Sequence, residues 1–360
     1  MKVLTILGTR PEIIRLSLIL KKLDQWADQH TLVHTGQNFV YNLSEIFFKE
    51  LDLRMPDYIL QTKQQSLGSQ LASMFERIEE ILLREKPDKV LVLGDTNSAL
   101  SAVLAERMSI PVIHMEAGNR CFDLAVPEEK NRKVIDAIST YNLPYTPNSR
   151  DNLLREGIPS NRIMLFGNPI YEVLKHYEKT IDNSNILNKL NLKPQEYFLV
   201  TTHRAENVDN PGHLIEIFEG LNSIAETYNK PIICSIHPRT RSKLENQTQL
   251  THHPNIRFFD PFGFFDFVQL EKQALCVLTD SGTVQEECCI FKVPTVTIRN
   301  STERPETVDC GSNVVSGLNR KGILGAVTIM INKDSDWECP IGYLEKQVSH
   351  KVVQFLLGGR

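Results

Sequence analysis

The chain has 360 residues, a length that suits two domains, each large enough for a core of its own. Hydrophobic residues make up 41% and charged residues 23%, which is ordinary for a soluble globular protein. The net charge of −4 gives no reason to expect a nucleic-acid partner. Seven cysteines, an odd number without zinc-like CxxC pairs, read as reduced thiols, with Cys288-Cys289 packing on a helix.

Met1–Gly8 is an apolar run ending in a glycine turn; it is too short for a signal sequence and reads as a first buried strand. No segment approaches about 20 consecutive apolar residues, so no membrane span is expected and the cytoplasm is the expected compartment. Val3–Leu7, His30–His34, Lys89–Leu93, Pro111–His114 and Tyr141–Thr146 read as strands, with Arg162–Gly167 as the last strand of the first half. Between them Glu12–Leu23, Asn42–Leu51, Leu67–Glu85 and Ser98–Met108 have helical spacing. Such alternation implies βαβ units and a parallel sheet.

A polar stretch, Glu178–Pro194, follows, and the joint is expected near Asn168–Ile170. Tyr197–Thr201, Ile232–Ile236, Ile256–Phe259, Ala274–Thr279 and Thr295–Ile298 then read as strands, with His213–Asn229 and Thr283–Phe291 the clearest helices between them. Leu344–Leu357 reads as a final helix that can cross back onto the first half. The expected fold is α/β: two Rossmann-like αβα domains, residues 1–169 and 170–343, facing across a cleft. Ligands in such sheets sit beyond the carboxyl ends of the strands.

The polar motifs fall at those ends. Gly8-Thr9-Arg10-Pro11-Glu12 follows the first strand: Pro11 suits a first helical position, and Arg10 stands where anions bind or is simply solvated. Asp95, after Val90–Leu93 and Gly94, either acts at the sheet edge or caps the next helix. Glu116, in His114-Met115-Glu116-Ala117-Gly118, follows buried strand residues, where a carboxylate is costly unless paired or used. Glu128 and Glu129 come after Pro127 in what reads as an irregular stretch. Four acids on one rim would repel, and at least one pKa would rise toward what a general acid or base needs. The plainer reading is ion pairing to Arg120, Lys130 and Arg132.

In the second half His203 and His237 end parallel strands. Asp280-Ser281-Gly282-Thr283 opens a helix whose amides and dipole favour a phosphate, or Asp280 or Ser281 is a plain N-cap. Glu286 and Glu287 sit one turn in, within reach of ribose hydroxyls, and Arg304 suits phosphate oxygens. There is no GxxxxGK[ST], no GxGxxG and no metal-ligand spacing, so no metal or cofactor is expected. Acids in one half and an anion cradle in the other suggest an enzyme acting on a phosphate-bearing substrate.

Taken together, GTRPE at 8–12, GDTNS at 94–98, HMEAG at 114–118, PEEKNR at 127–132, THRAEN, DSGTVQEE at 280–287 and TERPE at 302–306 resemble the non-hydrolysing UDP-N-acetylglucosamine 2-epimerase family over nearly the whole chain. The resemblance implies a glycosyltransferase B-type fold, a homodimer and a UDP-N-acetylhexosamine substrate. It also implies removal of the sugar C2 proton with anti elimination of UDP, then reprotonation on the other face and re-addition. It assigns acid/base chemistry to Asp95, Glu116 and Glu128 with His203 beside them. It assigns substrate contacts to Arg10, His237, Phe267, Ser281, Gly282, Thr283, Glu287 and Arg304, and to Arg15, where the family usually has Lys. After Gly36-Gln37 the common bacterial His-Arg-Glu-Met, part of an allosteric site, is replaced by Asn38-Phe39-Val40-Tyr41, so the resemblance does not extend to the residues of that site and leaves allosteric control open. HMEAGNRCFD with VPEEKNR resembles the subgroup that makes UDP-N-acetyl-L-fucosamine from UDP-2-acetamido-2,6-dideoxy-L-talose for capsule or O-antigen. Phe262, commonly Gln in the family, is compatible with a 6-deoxy sugar. Interconversion of UDP-GlcNAc and UDP-ManNAc, a glycosyltransferase on the same fold and a non-catalytic UDP-sugar sensor are the competing readings.

Overall fold

In the computed structural model, residues 1–36, 41–60, 66–236 and 252–358 are described. The chain divides into two compact units, Met1–His176 with Ile341–Arg360, and Tyr177–Pro340. His237 and Asn38-Phe39-Val40 lie outside the described residues.

The first unit is built on a parallel sheet of β1 (Lys2–Leu7), β2 (Gln29–His34), β3 (Tyr58–Ile59), β4 (Lys89–Leu93), β5 (Val112–Met115) and β6 (Tyr141–Leu143), in the order β3-β2-β1-β4-β5-β6. Its central strands are apolar along their length because helices cover both faces of such a sheet. Leu4, Ile6, Val90 and Val92 pack with Ile78 and Leu82 from the helix Leu67–Glu85 in one buried cluster. Each such side chain contributes roughly 1.5–3 kcal/mol.

The second unit repeats the plan with β7 (Phe198–Thr202), β8 (Ile232–Ile236), β9 (Ile256–Phe259), β10 (Cys276–Thr279), β11 (Thr295–Thr297) and β12 (Asn313–Val315), in the order β12-β11-β10-β7-β8-β9. Phe198, Val200 and Leu278 pack there with Ile217 and Phe218 of the helix Pro211–Tyr228 and Ile323 of the helix Arg320–Ile331. In both sheets the strand order reverses beside the first strand, at β1/β4 and at β7/β10, which is where such folds bind ligands.

Three expectations are corrected. Arg162–Gly167 is not a strand: it makes one bridge, Ile163 to Asn142, before Gly167 turns at φ +97° and the Asn168 amide donates to the Gly342 carbonyl at 2.8 Å. The final helix is shorter than expected, Val348–Leu357, and starts where the Glu172 carboxylate accepts from the Ser349 amide at 2.8 Å and its hydroxyl at 2.5 Å. Glu128 and Glu129 lie not in an irregular stretch but in the first turn of the helix Pro127–Ile138. Proline pre-sets that first position and carboxylates complement the helix N-terminus. Among the described residues no helix is long and apolar enough to cross a membrane.

Candidate functional site

Three neighbouring strands of the first unit end in the same set of loops. After β1, Gly8, Thr9 and Arg10 lead into the helix Arg10–Trp26, with the Arg10 guanidinium 5.5 Å from the centre of the Phe47 ring. Glu12, fully buried, accepts from the Gly8 amide (3.0 Å), the Thr9 hydroxyl (2.7 Å) and the Thr96 hydroxyl (3.0 Å). It thereby laces the turn after β1 to the turn after β4. Burial pushes its carboxyl up to about 7 in spite of those donors.

Asp95 follows β4. Its side chain pairs with the buried Arg132, and its carbonyl accepts from the Asn131 side chain at 2.9 Å. Both partners come from the helix Pro127–Ile138, so that helix grips the Asp95 turn from two sides. Arg132 also holds Glu129 at 2.8 Å. Glu129 in turn accepts from the Cys121 and Phe122 amides, at 3.0 and 3.2 Å, and shapes the loop before the helix. Glu128, half-buried, is one residue earlier in the same turn.

Glu116 follows β5 in a left-handed conformation, φ +66°, which costs a residue with a side chain on the order of 1–3 kcal/mol. Its amide donates to the Leu143 carbonyl at 3.1 Å, and its buried carboxylate pairs with Arg15. The Arg15 guanidinium also lies over the Tyr145 ring, 5.6 Å from its centre. At Gly118, φ +79°, a Cβ would stand 2.1 Å from the Ser149 carbonyl oxygen, so only glycine fits.

Beneath these loops lies a buried polar group that no motif announced. Asp136 accepts from the Gly118 amide at 3.1 Å and lies 2.9 Å from His114 Nδ1 and 2.7 Å from Arg120 Nη2. Arg120 continues to Glu156, whose carboxyl it holds down to about 2.

In the second unit the buried Asp280 is the hub. It accepts from the Thr202 hydroxyl (2.9 Å), the His203 and Arg204 amides (3.0 Å each) and the Asn207 side chain (3.1 Å), and its Oδ1 is 3.1 Å from His203 Nδ1. Burial alone would raise this carboxyl; the His203 ring, the Arg204 amide and the Arg204 charge outweigh it and hold it well below the usual carboxylate range. Asp280 is therefore no helix cap; it fixes the His203-Arg204 loop after β7 beside the turn after β10.

That turn leads into the helix Gly282–Phe291, where Ser281 stands at the N-cap without a side-chain cap bond. Its amide donates to the Thr279 hydroxyl at 3.0 Å. Behind the helix start Glu303 accepts from Arg204 (2.7 Å) and Arg299 (2.5 Å), and Arg304 pairs with Glu286. A Cβ on Gly282 would meet Glu303 Oε1 at 3.1 Å and the Arg304 guanidinium carbon at 3.4 Å. The glycine lets this charged layer approach a helix N-terminus, a site suited to an anion.

The structure thus brings Arg10, Arg15, Asp95, Glu116 and Glu128 to the ends of β1, β4 and β5 and their adjoining helices. It gathers His203, Ser281, Gly282 and Thr283 at the ends of β7 and β10, with Arg304, which follows β11 and caps the helix Pro305–Asp309, against Gly282. Phe267, only 7% exposed, sits in an apolar cluster with Leu270, Val284 and Cys288. Glu287 is buried on the Gly282–Phe291 helix. Asp95 and Glu129 pair with Arg132, and Glu116 pairs with Arg15; beside them Glu12, which has no cationic partner among its hydrogen bonds, has a raised carboxyl. Glu12, Asp136, Arg132 and Glu303 escaped the sequence reading as site residues. Their partners are mostly distant in the chain, and only the burial of an acid beside a strand end could have flagged Glu12. Among the described residues no group of His, Cys, Asp and Glu is placed to hold a metal ion.

Known proteins resemble the chain throughout. The family model described as UDP-N-acetylglucosamine 2-epimerase matches residues 21–357. A UDP-N-acetylglucosamine 2-epimerase of Methanocaldococcus jannaschii is 44% identical over 367 residues, covering 100% of both chains. Its crystal structure in complex with UDP-GlcNAc and UDP superposes with a TM-score of 0.94, again covering 100% of both chains. A UDP-2,3-diacetamido-2,3-dideoxy-D-glucuronate 2-epimerase of Pseudomonas aeruginosa is 36% identical, covering 99% of each chain. A glycosyltransferase of lipopolysaccharide biosynthesis, 12% identical with 100% of both chains covered, shares the fold at a TM-score of 0.62.

Proposed function

This chain belongs to the UDP-N-acetylglucosamine 2-epimerase family, an isomerase class, and on that footing we propose that it inverts C2 of a UDP-2-acetamidohexose by elimination and re-addition of UDP. A carboxylate removes the weakly acidic C2 hydrogen, the C1–O bond to UDP breaks, and a C1=C2 double bond forms. Return of a proton to the opposite face of C2 and of UDP to C1 completes the inversion. Asp95, Glu116 and Glu128 carry the proton transfers with His203 beside them. Arg10 and Arg15 contact substrate. Ser281, Gly282, Thr283 and Arg304 stabilise the departing diphosphate, and Glu287 takes the ribose. Phe267 and His237 complete the nucleotide contacts. Such preorganised donors act most strongly on charge that develops during the reaction.

The observation that carries this reading is the pairing of β4 with β5, Leu93 opposite Met115, which delivers Asp95 and Glu116 from adjacent strand ends, each beside a buried arginine. A positioned acid or base of this kind contributes typically 10²–10⁴-fold in rate.

The finer proposal concerns the sugar. The HMEAGNRCFD and VPEEKNR motifs favour UDP-2-acetamido-2,6-dideoxy-L-talose, giving UDP-N-acetyl-L-fucosamine for surface polysaccharide, made in the cytoplasm by a homodimer. Phe262, its ring 5.5 Å from that of Phe259, offers apolar surface in keeping with a 6-deoxy sugar. The second reading, UDP-GlcNAc to UDP-ManNAc, is favoured by the name of the Methanocaldococcus relative. Product NMR on a panel containing both UDP-sugars without an acceptor separates them: the 6-deoxy-L-talo sugar turns over with the higher kcat/KM on the first reading, UDP-GlcNAc on the second.

A further inference from the structure

Three of the seven cysteines converge at the far end of the Gly282–Phe291 helix. Cys289 Sγ lies 3.8 Å from Cys310 Sγ, and Cys339 Sγ lies 3.6 Å from the Cys289 carbonyl oxygen, although 50 residues separate Cys289 from Cys339. Cys289 is buried; Cys310 and Cys339 are partly open to solvent. Lys292, the left-handed residue that ends the helix, is exposed and holds its ammonium 5.6 Å from the centre of the Trp337 ring, whose Nε1 donates to the same Cys289 carbonyl at 3.0 Å. Cys310 Sγ also reaches the Ser312 hydroxyl (3.4 Å) and the Thr307 carbonyl (3.5 Å). An accessible thiol touching a buried one, with a cation nearby, is the arrangement of an oxidisable pair.

We propose that Cys310 and Cys289 are a reversible disulfide-forming pair that responds to hydroperoxides. The Cys310 thiolate attacks the peroxide, the O–O bond breaks, and Cys310 becomes a sulfenic acid while the other oxygen leaves as hydroxide or alkoxide and takes a proton. The Cys289 sulfur then attacks the Cys310 sulfur. The S–S bond forms, the S–OH bond breaks, and the hydroxide departs as water with the Cys289 proton. Two thiols are oxidised, and hydrogen peroxide is reduced to two waters. The sulfurs must close from 3.8 Å to about 2.05 Å.

Cys339 is likewise drawn down, to about 7, by its hydrogen bond with Cys289; the choice of Cys310 rests on geometry, its Sγ lying 3.8 Å from Cys289 Sγ whereas Cys339 Sγ meets the Cys289 carbonyl oxygen. The other four thiols are set apart from this role. Burial pushes up the thiols of Cys234, Cys276 and Cys288, and that of Cys121 as well. The Cys310 thiol is drawn down to about 6, first by the hydrogen bond with Cys289 and then, against burial, by Ser312 and the Lys292 charge. The same hydrogen bonding raises Cys289, so that it keeps its proton while Cys310 is the thiolate.

The test treats the native full-length protein with a small excess of hydrogen peroxide, blocks free thiols, and maps peptides by mass spectrometry without reduction. The expected product is a Cys289–Cys310 crosslink, lighter by about 2 Da and reversed by dithiothreitol. Cys339→Ser and Cys288→Ser leave it in place. In Cys289→Ser, Cys310 instead gains about 32 Da as the sulfinic acid. A bond from Cys289 to Cys339, any other pairing, or oxidation of the wild type without a crosslink overturns the proposal.

Discussion

His114 Nε2 lies 2.8 Å from the Gly94 carbonyl oxygen, so the residue before Asp95 is tied to the strand that delivers Glu116. The other ring nitrogen faces Asp136, which also holds the Gly118 amide. One buried group therefore underlies both proposed acid/base loops.

Asp136→Asn keeps the shape and removes the charge. It leaves Arg120 and His114 without their shared carboxylate. Breaking a buried pair from one side costs about 3–5 kcal/mol. We expect lower stability in denaturant titrations and kcat reduced by at least about tenfold, with UDP affinity unchanged. Wild-type kcat in a folded Asp136→Asn variant would remove Asp136 from the account.

Glu116→Gln abolishes the proposed base or acid while preserving volume. Turnover should fall by about 10²–10⁴-fold, with UDP still binding in calorimetric titration. Unchanged turnover would rule out the role given to Glu116.

Gly282→Ala places a methyl 3.1 Å from Glu303 Oε1, and Glu303 cannot retreat because Arg204 and Arg299 hold it at 2.7 and 2.5 Å. The helix start must shift instead. UDP affinity is expected to drop by about tenfold, roughly 1.4 kcal/mol, as read by calorimetry. An alanine variant that binds UDP as well as wild type would argue against the turn as the diphosphate site.

Glu12 gives a pH dependence of defined sign. Its folded pKa of about 7 exceeds the ordinary 4.5, so the native state holds this proton more tightly than the unfolded chain. Its contribution is fully present below pH 4.5 and is lost as pH rises through about 7, a change of roughly 3 kcal/mol. Relative to Glu12→Gln, the wild type should lose stability between pH 5 and pH 8 by about that amount. A pH-independent difference between the two would contradict the burial of an ionisable Glu12.

Long buried runs were the most legible part of the sequence. Val90–Leu93 and Ile232–Ile236 announce strands because both faces of a parallel sheet are covered, so no polar alternation interrupts them. The two-residue β3 and three-residue β12 escaped because such lengths carry no period. Pro127 reads as irregularity in the sequence although it opens a helix, since proline marks breaks and first turns alike. Asp95 and Glu116 were legible from their place after apolar strands. Their arginine partners were less so: Arg15 stands 101 residues from Glu116, and nothing local announces that pairing. Glu12 looked like part of a helix start and proved to join two turns 84 residues apart.

The central claim is that the C2–H bond breaks and re-forms by exchange with solvent. Turnover in heavy water, followed by NMR, tests it most directly. The account predicts one solvent deuterium at C2 of the epimerised UDP-sugar, with no acceptor or added cofactor, and loss of that uptake in Glu116→Gln. Inversion at C2 with the original hydrogen retained would contradict it.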